Sequence, residues 1–311
     1  MCSFSKRCVS GRRFPFVSNG RIGVVLMMVS MACVGAVAAR VQDSPNARLV
    51  KAVEEDDLKA ALAALDQGAA PNATIDDNPV SCIAAYHGQT ALLKALLDRG
   101  ARLDARKFDD HLTLLMFAAL SGNPETVQLL LDRKVKINQQ DELGETALMT
   151  VREPIKPAVT SEASGSSKAS EPAKPIGRVA VLKLLLKAGA DKEIRDIEGR
   201  TALMRYAKYG IQNAVEALAE AGAKLNTRDH DGNTALILAA GWQTLDKNLK
   251  TDGYAPIVQC LLQHKADERV KNRAGLTALM AAKRAGHEDI VALLLAPSST
   301  GSSKATREEQ P

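Results

Sequence analysis

Five histidines are the residues of this sequence best suited to metal binding or proton transfer, and they lie far apart: His87, His111, His230, His264 and His287. No cluster of Cys and His has the spacing of a metal-ligand set. The carboxylates of residues 54–57 form a charged run, which is more typical of a solvated helix turn than of an acid–base pair. We find no glycine-rich phosphate loop and no nucleophile elbow. We therefore expect no catalytic residue, metal or cofactor; the alternative is an enzyme with titratable groups converging in a deep polar pocket.

The positive charge of the chain lies at its N-terminus. The formal net charge is +5, and residues 1–39 contain five basic residues and no acidic one. Residues 40–311 are therefore balanced in charge, so their net charge does not favour nucleic acid.

The basic segment leads into an apolar run, Ile22–Ala39, which ends in small residues at Ala36, Ala38 and Ala39. This pattern predicts a signal peptide at residues 1–39 that is cleaved after Ala38 or Ala39. The run is at the short limit for crossing a bilayer, so the alternative is an uncleaved anchor at residues 22–39 in the inner membrane.

A six-residue motif recurs in the remaining sequence. Near copies lie at Gly144–Met149, Gly199–Met204, Gly232–Ile237 and Gly275–Met280, with a weaker version at Thr113–Met116. A second motif follows at a fixed distance, an apolar run ending in Leu-Leu and then Gly-Ala. Thr favours a helix start because it caps free N–H groups, and Gly favours a helix end because it adopts positive φ. Each unit is thus predicted to be two short helices and a turn.

These two motifs resemble the ankyrin repeat, whose 33-residue unit reads G-x-T-P-L-H-x-A-A followed by L-L-L-x-x-G-A-D-x-N. The sequence has Ala in place of the family's Pro, and Met or Ile in place of its His. We expect these replacements to alter local hydrogen bonds and to leave the fold intact. The resemblance covers most of residues 46–296 and implies an all-α solenoid of stacked helix–turn–helix units joined by short hairpin-like connections.

Residues 46–296 divide into seven predicted units. A degenerate N-terminal cap spans about 46–73, and the others span 74–105, 106–139, 140–195, 196–228, 229–271 and 272–296. Lys134 and Lys265 stand where the motif has Gly, at a cost of up to about 1 kcal/mol each.

Of the five cysteines, only Cys82 and Cys260 follow the leader. They lie four units apart, beyond the reach of a disulfide, so we expect two buried thiols.

Two units contain extra residues between their first and second helices. The excess at Val151–Gly177 is rich in Ser, Pro, Ala and Lys and predicts a disordered insertion; about ten further residues lie around Thr244–Tyr254. Both insertions are predicted on one edge of the solenoid, and residues 297–311 are predicted to be a disordered tail.

The resemblance implies two contact regions for a partner, the hairpin tips and the exposed side of each first helix. The candidate tip residues are Phe108, Asp109, Asp110, Glu142, Leu143, Ile197, Glu198, His230 and Asp231. In the alignment of the units, Tyr209 and Trp242 occupy the same position near the end of neighbouring first helices. Exposed aromatic residues often anchor interfaces, so both are predicted to bind the partner; for Trp242 the alternative is packing beneath the insertion that follows it.

We expect an exported, non-catalytic module that binds another protein, in the periplasm or secreted, as a scaffold or protective partner of an envelope protein. The alternatives are a membrane-anchored receptor or assembly subunit and a secreted effector that binds host proteins. A monomer is expected, with membrane contact only through an uncleaved N-terminal segment.

Overall fold

The computed structural model describes residues 44–75, 78–107, 111–151, 175–241 and 254–296. Within these ranges the chain forms seven pairs of helices and one short hairpin. The elements are α1 (Pro45–Glu54), α2 (Leu58–Asp66), β1 (Thr74–Ile75), β2 (Asn78–Pro79), α3 (Val80–Tyr86), α4 (Thr90–Asp98), α5 (Leu114–Ser121), α6 (Pro124–Asp132), α7 (Ala147–Thr150), α8 (Pro175–Lys187), α9 (Ala202–Lys208), α10 (Gln212–Glu220), α11 (Ala235–Gly241), α12 (Tyr254–Gln263), α13 (Ala278–Ala285) and α14 (Glu288–Leu295).

The helix pairs stack in chain order. Each first helix packs against the first helix of the next pair, and each second helix packs against the next second helix. The Leu and Ala residues of the two motifs face these interfaces; Leu115, Leu148, Leu203 and Leu236, which share one position of the repeat, are almost completely buried. The predicted all-α solenoid is therefore confirmed, and the one sheet among the described residues is the two-stranded antiparallel pair β1–β2. We number the pairs as units 1 to 7.

The threonines of the motif start their helices in two different ways. Thr113, Thr234 and Thr277 accept a hydrogen bond from the backbone N–H three residues later, each at 3.3 Å. The hydroxyls of Thr146 and Thr201 are buried and have no partner among the described residues. The methionines three residues after them offer a thioether where an imidazole would offer an N–H donor. Met116 and Met280 stand at the same distance after Thr113 and Thr277, whose hydroxyls are hydrogen-bonded, so the replacement of His by Met does not by itself remove this cap.

The folded units extend into the predicted insertions. Val151 is buried, and α8 begins at Pro175 because proline suits the first position of a helix. Tyr254 is also buried, and its hydroxyl donates to the carbonyl of Lys208 at 3.0 Å. Residues 152–174 and 242–253 lie outside the described residues, as do the leader and the tail.

Cys82 and Cys260 are free and buried. Burial raises the pKa of the Cys82 thiol to about 12, and burial, aided by Glu216 and Glu220, raises that of Cys260. Both side chains therefore stay protonated at neutral pH and pack as small apolar groups.

Lys134 and Lys265 end their second helices with φ angles of 58° and 68°, in the left-handed region that the repeat motif predicts for Gly. We expect Lys134→Gly and Lys265→Gly each to raise the free energy of unfolding by about 0.5–1 kcal/mol, because the strain of a side chain at positive φ disappears. Urea denaturation measures the change. The matched control is Gly222→Lys, since Gly222 has a φ of 76° and open space around it; this variant should lose a similar amount. Unchanged stability in all three variants would contradict the prediction.

Candidate protein-binding surface

The hairpin tips of units 4 to 7 are joined side by side through their backbones. Ile197 N donates to Leu143 O at 3.0 Å, and His230 N donates to Glu198 O at 3.0 Å. Arg273 N continues the series by donating to Asp231 O at 2.9 Å. We call the six tip residues Glu142, Leu143, Ile197, Glu198, His230 and Asp231 the fingertip edge. These hydrogen bonds make the edge a continuous strip across three units.

An aspartate builds each of the three turns in this edge. Asp141 Oδ1 accepts from Leu143 N at 2.9 Å and from Glu145 N at 2.8 Å. Asp196 and Asp229 each accept from the same two positions of their own turns. The carboxylate fixes the backbone of the turn locally, and with it the positions from which the tip side chains project.

The fingertip edge exposes two large aliphatic side chains. Leu143 is 52% exposed and Ile197 is 60% exposed. Their backbones are directly hydrogen-bonded, so the two side chains occupy adjacent tips. Such a pair loses water readily when an apolar group covers it, and this favours binding.

Carboxylates flank the aliphatic pair. Glu142 Oε1 lies 2.8 Å from His111 Nδ1, which is charged only when protonated, and both side chains are more than half exposed. Glu198 Oε2 lies 2.6 Å from Arg200 Nη1. Asp231 is exposed and has no ion pair among the described residues. All six predicted residues of the edge, His230 included, are exposed; Phe108, Asp109 and Asp110 lie outside the described residues.

A buried ion network lies beneath these tips, between units 4 and 5. Arg205 donates through Nη1 to Asp196 Oδ2 at 2.8 Å, and its Nη2 lies 2.5 Å from Glu145 Oε1. Arg200 Nε donates to the same Asp196 oxygen at 3.0 Å. Each of these four side chains is at most 6% exposed. The network was not predicted from the sequence. A signal was present, because Glu145 and Arg200 occupy the same motif position, immediately before Thr, in neighbouring units and have opposite charges.

The network controls the protonation of its members. Burial acts to raise the pKa of Asp196, but the backbone N–H of Arg200 and the guanidinium groups of Arg205 and Arg200 outweigh it, so the pKa is lowered. For Arg205, burial acts to lower the pKa, but the carboxylates of Glu145 and Asp196 outweigh it, so the pKa is raised. Both groups therefore stay charged at neutral pH inside the stack.

Tyr209 directly follows α9 and contacts Arg205 of this network. Its ring centroid is 5.8 Å from the guanidinium carbon of Arg205, and 43% of the residue is exposed. The position is accessible to a partner, and a buried cation lies within range of a cation–π contact. Trp242, its predicted neighbour, lies outside the described residues, so the proposed pairing of the two rings stays a prediction.

A second aromatic group lies on the first helices of units 2 and 3, where the sequence analysis proposed no site. Tyr86 is 52% exposed, and its ring makes edge-to-face contacts with His87 at 5.4 Å and with Phe117 at 6.3 Å. When the repeat units are aligned, His87 of unit 2 occupies the same position near the end of the first helix as Tyr209 of unit 5. The sequence therefore contained a signal for this group, but its ring contacts arise only from the stacking of α3 against α5.

The five histidines are distributed over four of the seven units. His287 is buried, with Nδ1 2.9 Å from the carbonyl of Ala240, which indicates a structural role. Within the described part of the chain, no group of three or more His, Cys, Asp or Glu residues could hold a metal ion. In the same residues, no helix is both long and apolar enough to cross a membrane.

Family comparisons agree with this architecture. A three-copy model of ankyrin repeats matches residues 49–151 and 173–251, and a single-repeat model matches residues 274–301. The chain belongs to the ankyrin-repeat family. Ankyrin repeats bind other proteins, and the family is typically non-catalytic, so the chain is a protein–protein interaction module.

Two known proteins illustrate the similarity of this ankyrin-repeat chain to others. It is 29% identical over 107 residues to dauer abnormal formation protein 25 of Caenorhabditis elegans, a match that covers 34% of this chain and 28% of that protein. The chain thus spans only about a quarter of that relative. Its fold resembles the crystal structure of the ankyrin repeat domain of Bcl-3, a member of the IkappaB protein family. The TM-score is 0.59 and the identity 21%, over 79% of this chain and 97% of that one; at this identity the likeness concerns the fold alone.

Proposed function

We propose that this ankyrin-repeat chain is an exported module that binds another protein through the fingertip edge and Tyr209, as a scaffold or protective partner in the cell envelope. The observation that carries the proposal is the exposed aliphatic pair Leu143 and Ile197, held on adjacent tips by a backbone hydrogen bond. Because the backbone that carries the pair is already fixed, binding orders only the two side chains, and more of their burial energy appears as affinity.

The proposed export rests on the leader. Residues 1–39 combine basic residues, an apolar run and small residues near Ala38, as a secretory signal does. The same pattern supports the second candidate, a receptor or assembly subunit that residues 22–39 anchor in the inner membrane. A secreted effector acting on host proteins is a third assignment with the same leader. The intact mass of the protein recovered from its host separates cleavage from anchoring, because a cleaved chain lacks residues 1–39.

Photo-crosslinking in the native host tests the binding role. A photoreactive amino acid at position 197 should give a discrete protein adduct, because this exposed side chain lies at the centre of the proposed interface. The control is a probe at Lys59, which is exposed on α2 of the first unit. Adducts of equal yield from both positions, or none from position 197 in a folded and exported chain, would refute the assignment of this surface.

A further inference from the structure

We propose that the fingertip edge recognises an extended segment of the partner in which an aliphatic side chain is followed, about three residues later, by Lys or Arg. This inference rests on the proposed function and specifies the chemistry of the partner at the same surface. It follows from three properties of the edge: its charge, its apolar pair and its spacing.

The tips of units 4 to 6 carry an excess of negative charge. In residues 141–145, 195–205 and 228–231, seven carboxylates face four guanidinium groups. The carboxylates belong to Asp141, Glu142, Glu145, Asp196, Glu198, Asp229 and Asp231, and the guanidinium groups to Arg195, Arg200, Arg205 and Arg228. A segment with positive charge complements this surface, whereas an acidic one is repelled.

The positions of the charges reinforce the excess. Arg200 and Arg205 are buried and contact Asp196 and Glu145, and Arg200 Nη1 also contacts the exposed carboxylate of Glu198 at 2.6 Å. Arg195 and Arg228 are exposed, but their guanidinium groups donate to the backbone carbonyls of Arg228 and Lys271 in the next unit, at 3.1 and 2.7 Å. The exposed charged side chains of the tips themselves are acidic: Glu142, Glu198 and Asp231. Glu142 lies beside His111 and Glu198 is paired with Arg200, whereas Asp231 has no ion pair among the described residues and is the carboxylate available to a partner.

The apolar part of the segment is matched by Leu143 and Ile197. These side chains are more than half exposed and lie next to each other, with Glu142 and Glu198 as their immediate neighbours in sequence. An aliphatic side chain that covers the pair is therefore flanked by carboxylates. Asp231 lies one unit further along the edge, which continues through the hydrogen bond from His230 N to Glu198 O.

The spacing follows from the stack. Helices packed in neighbouring units lie about 8–10 Å apart. An extended chain in the polyproline II conformation rises about 3.1 Å per residue and returns every third side chain to the same face. About three residues therefore span one unit. A side chain over Ile197, the member of the apolar pair in unit 5, places a residue three positions further along opposite Asp231 in unit 6. The edge is fixed by backbone hydrogen bonds, so this spacing does not depend on induced fit.

Fluorescence anisotropy with labelled synthetic peptides tests the inference on the full chain at low salt. The probe is the peptide GSLSGKSKG; its matched controls replace both lysines by glutamate (GSLSGESEG) or the leucine by serine (GSSSGKSKG). We expect the probe to bind about tenfold more tightly than the acidic peptide and about threefold more tightly than the peptide without leucine. Equal affinity for the basic and acidic peptides, or no binding of the probe, would overturn the inference.

Two variants of the protein locate the binding. Asp231→Lys should weaken binding of the probe about fivefold or more, because it reverses a charge opposite the lysines. Glu220→Lys changes the net charge equally in unit 5, on the exposed side of α10, and should change the affinity less than about twofold. Equal effects of the two variants would show non-specific attraction and refute the inference. The crosslink from position 197 is independent of these peptides: an adduct without peptide binding leaves the proposed function standing and removes the partner chemistry.

Discussion

Replacement of Arg205 by methionine should lower the free energy of unfolding by about 3 kcal/mol, the largest effect expected of any single change at this surface. Methionine fills a similar volume, so the loss is mainly electrostatic: Glu145 and Asp196 stay buried while the guanidinium that contacts both is gone. Removing one partner from a buried ion pair costs about 3–5 kcal/mol. The lower end applies because Asp196 keeps Arg200 and its backbone donors. Urea denaturation at pH 7 measures the change.

Arg195→Met provides the matched control, because Arg195 is exposed in the same unit and its guanidinium donates to the backbone carbonyl of Arg228, with no ion pair to a described residue. This variant should lose less than about 1 kcal/mol.

The pH dependence of the stability separates the loss of charge from the loss of packing. In the wild type the pKa of Asp196 is lowered by folding, so its contribution to stability is present at neutral pH and is lost as the pH falls through the folded pKa. In Arg205→Met the pKa of Asp196 rises, because the guanidinium that favours its charged form is gone. The difference in the free energy of unfolding between variant and wild type should therefore narrow from pH 7 towards about pH 4. A difference that stays constant with pH would mean that lost packing explains the cost.

Gly144→Ala should destabilise the chain by about 2–3 kcal/mol and move the tips of units 4 and 5 apart. Gly144 has a φ of 70°, and a Cβ there would lie 3.1 Å from Asp196 Cα and 3.1 Å from Ile197 N. Both are backbone atoms, so no side chain can rotate away. Positive φ alone costs about 1–2 kcal/mol for alanine, and the backbone clash adds to it. Thermal or urea unfolding measures the stability, and the yield of the crosslink from position 197 should fall with it.

Gly275→Ala isolates the two contributions to this cost. Gly275 occupies the same turn position in the last unit and has a φ of 76°, but no atom lies within 4 Å of the added Cβ. Gly275→Ala should therefore lose only the cost of positive φ, about 1–2 kcal/mol, and should be less destabilised than Gly144→Ala. If the two variants were equally destabilised, the contact between tips would contribute nothing, and the continuous edge would not be a rigid surface.

The repeat motif predicted the architecture because each unit is defined by short-range signals. Threonine, Ala-Ala, Leu-Leu and Gly-Ala recur at fixed offsets, and each acts within a few residues of its own position, by starting a helix, packing it or ending it. The prediction of positive φ at Lys134 and Lys265 succeeded for the same reason, since the end of a helix is set locally. The exposure of the fingertip residues followed from the family resemblance, which places them at the ends of turns.

The sequence by itself thus determined the ankyrin-repeat solenoid, the order of its units and the turns that present Leu143 and Ile197. The tertiary structure alone decided which charges remain available. Arg205 is on the first helix, where the resemblance implies an exposed side, yet it is nearly buried because Glu145 and Asp196 reach it from the preceding unit and turn. The ring contact between Tyr86 and Phe117 likewise joins different units. The contacts of Arg205 with Glu145 and of Tyr86 with Phe117 depend on the stacking of residues more than 30 positions apart. A pattern that repeats within one unit contains no information about them.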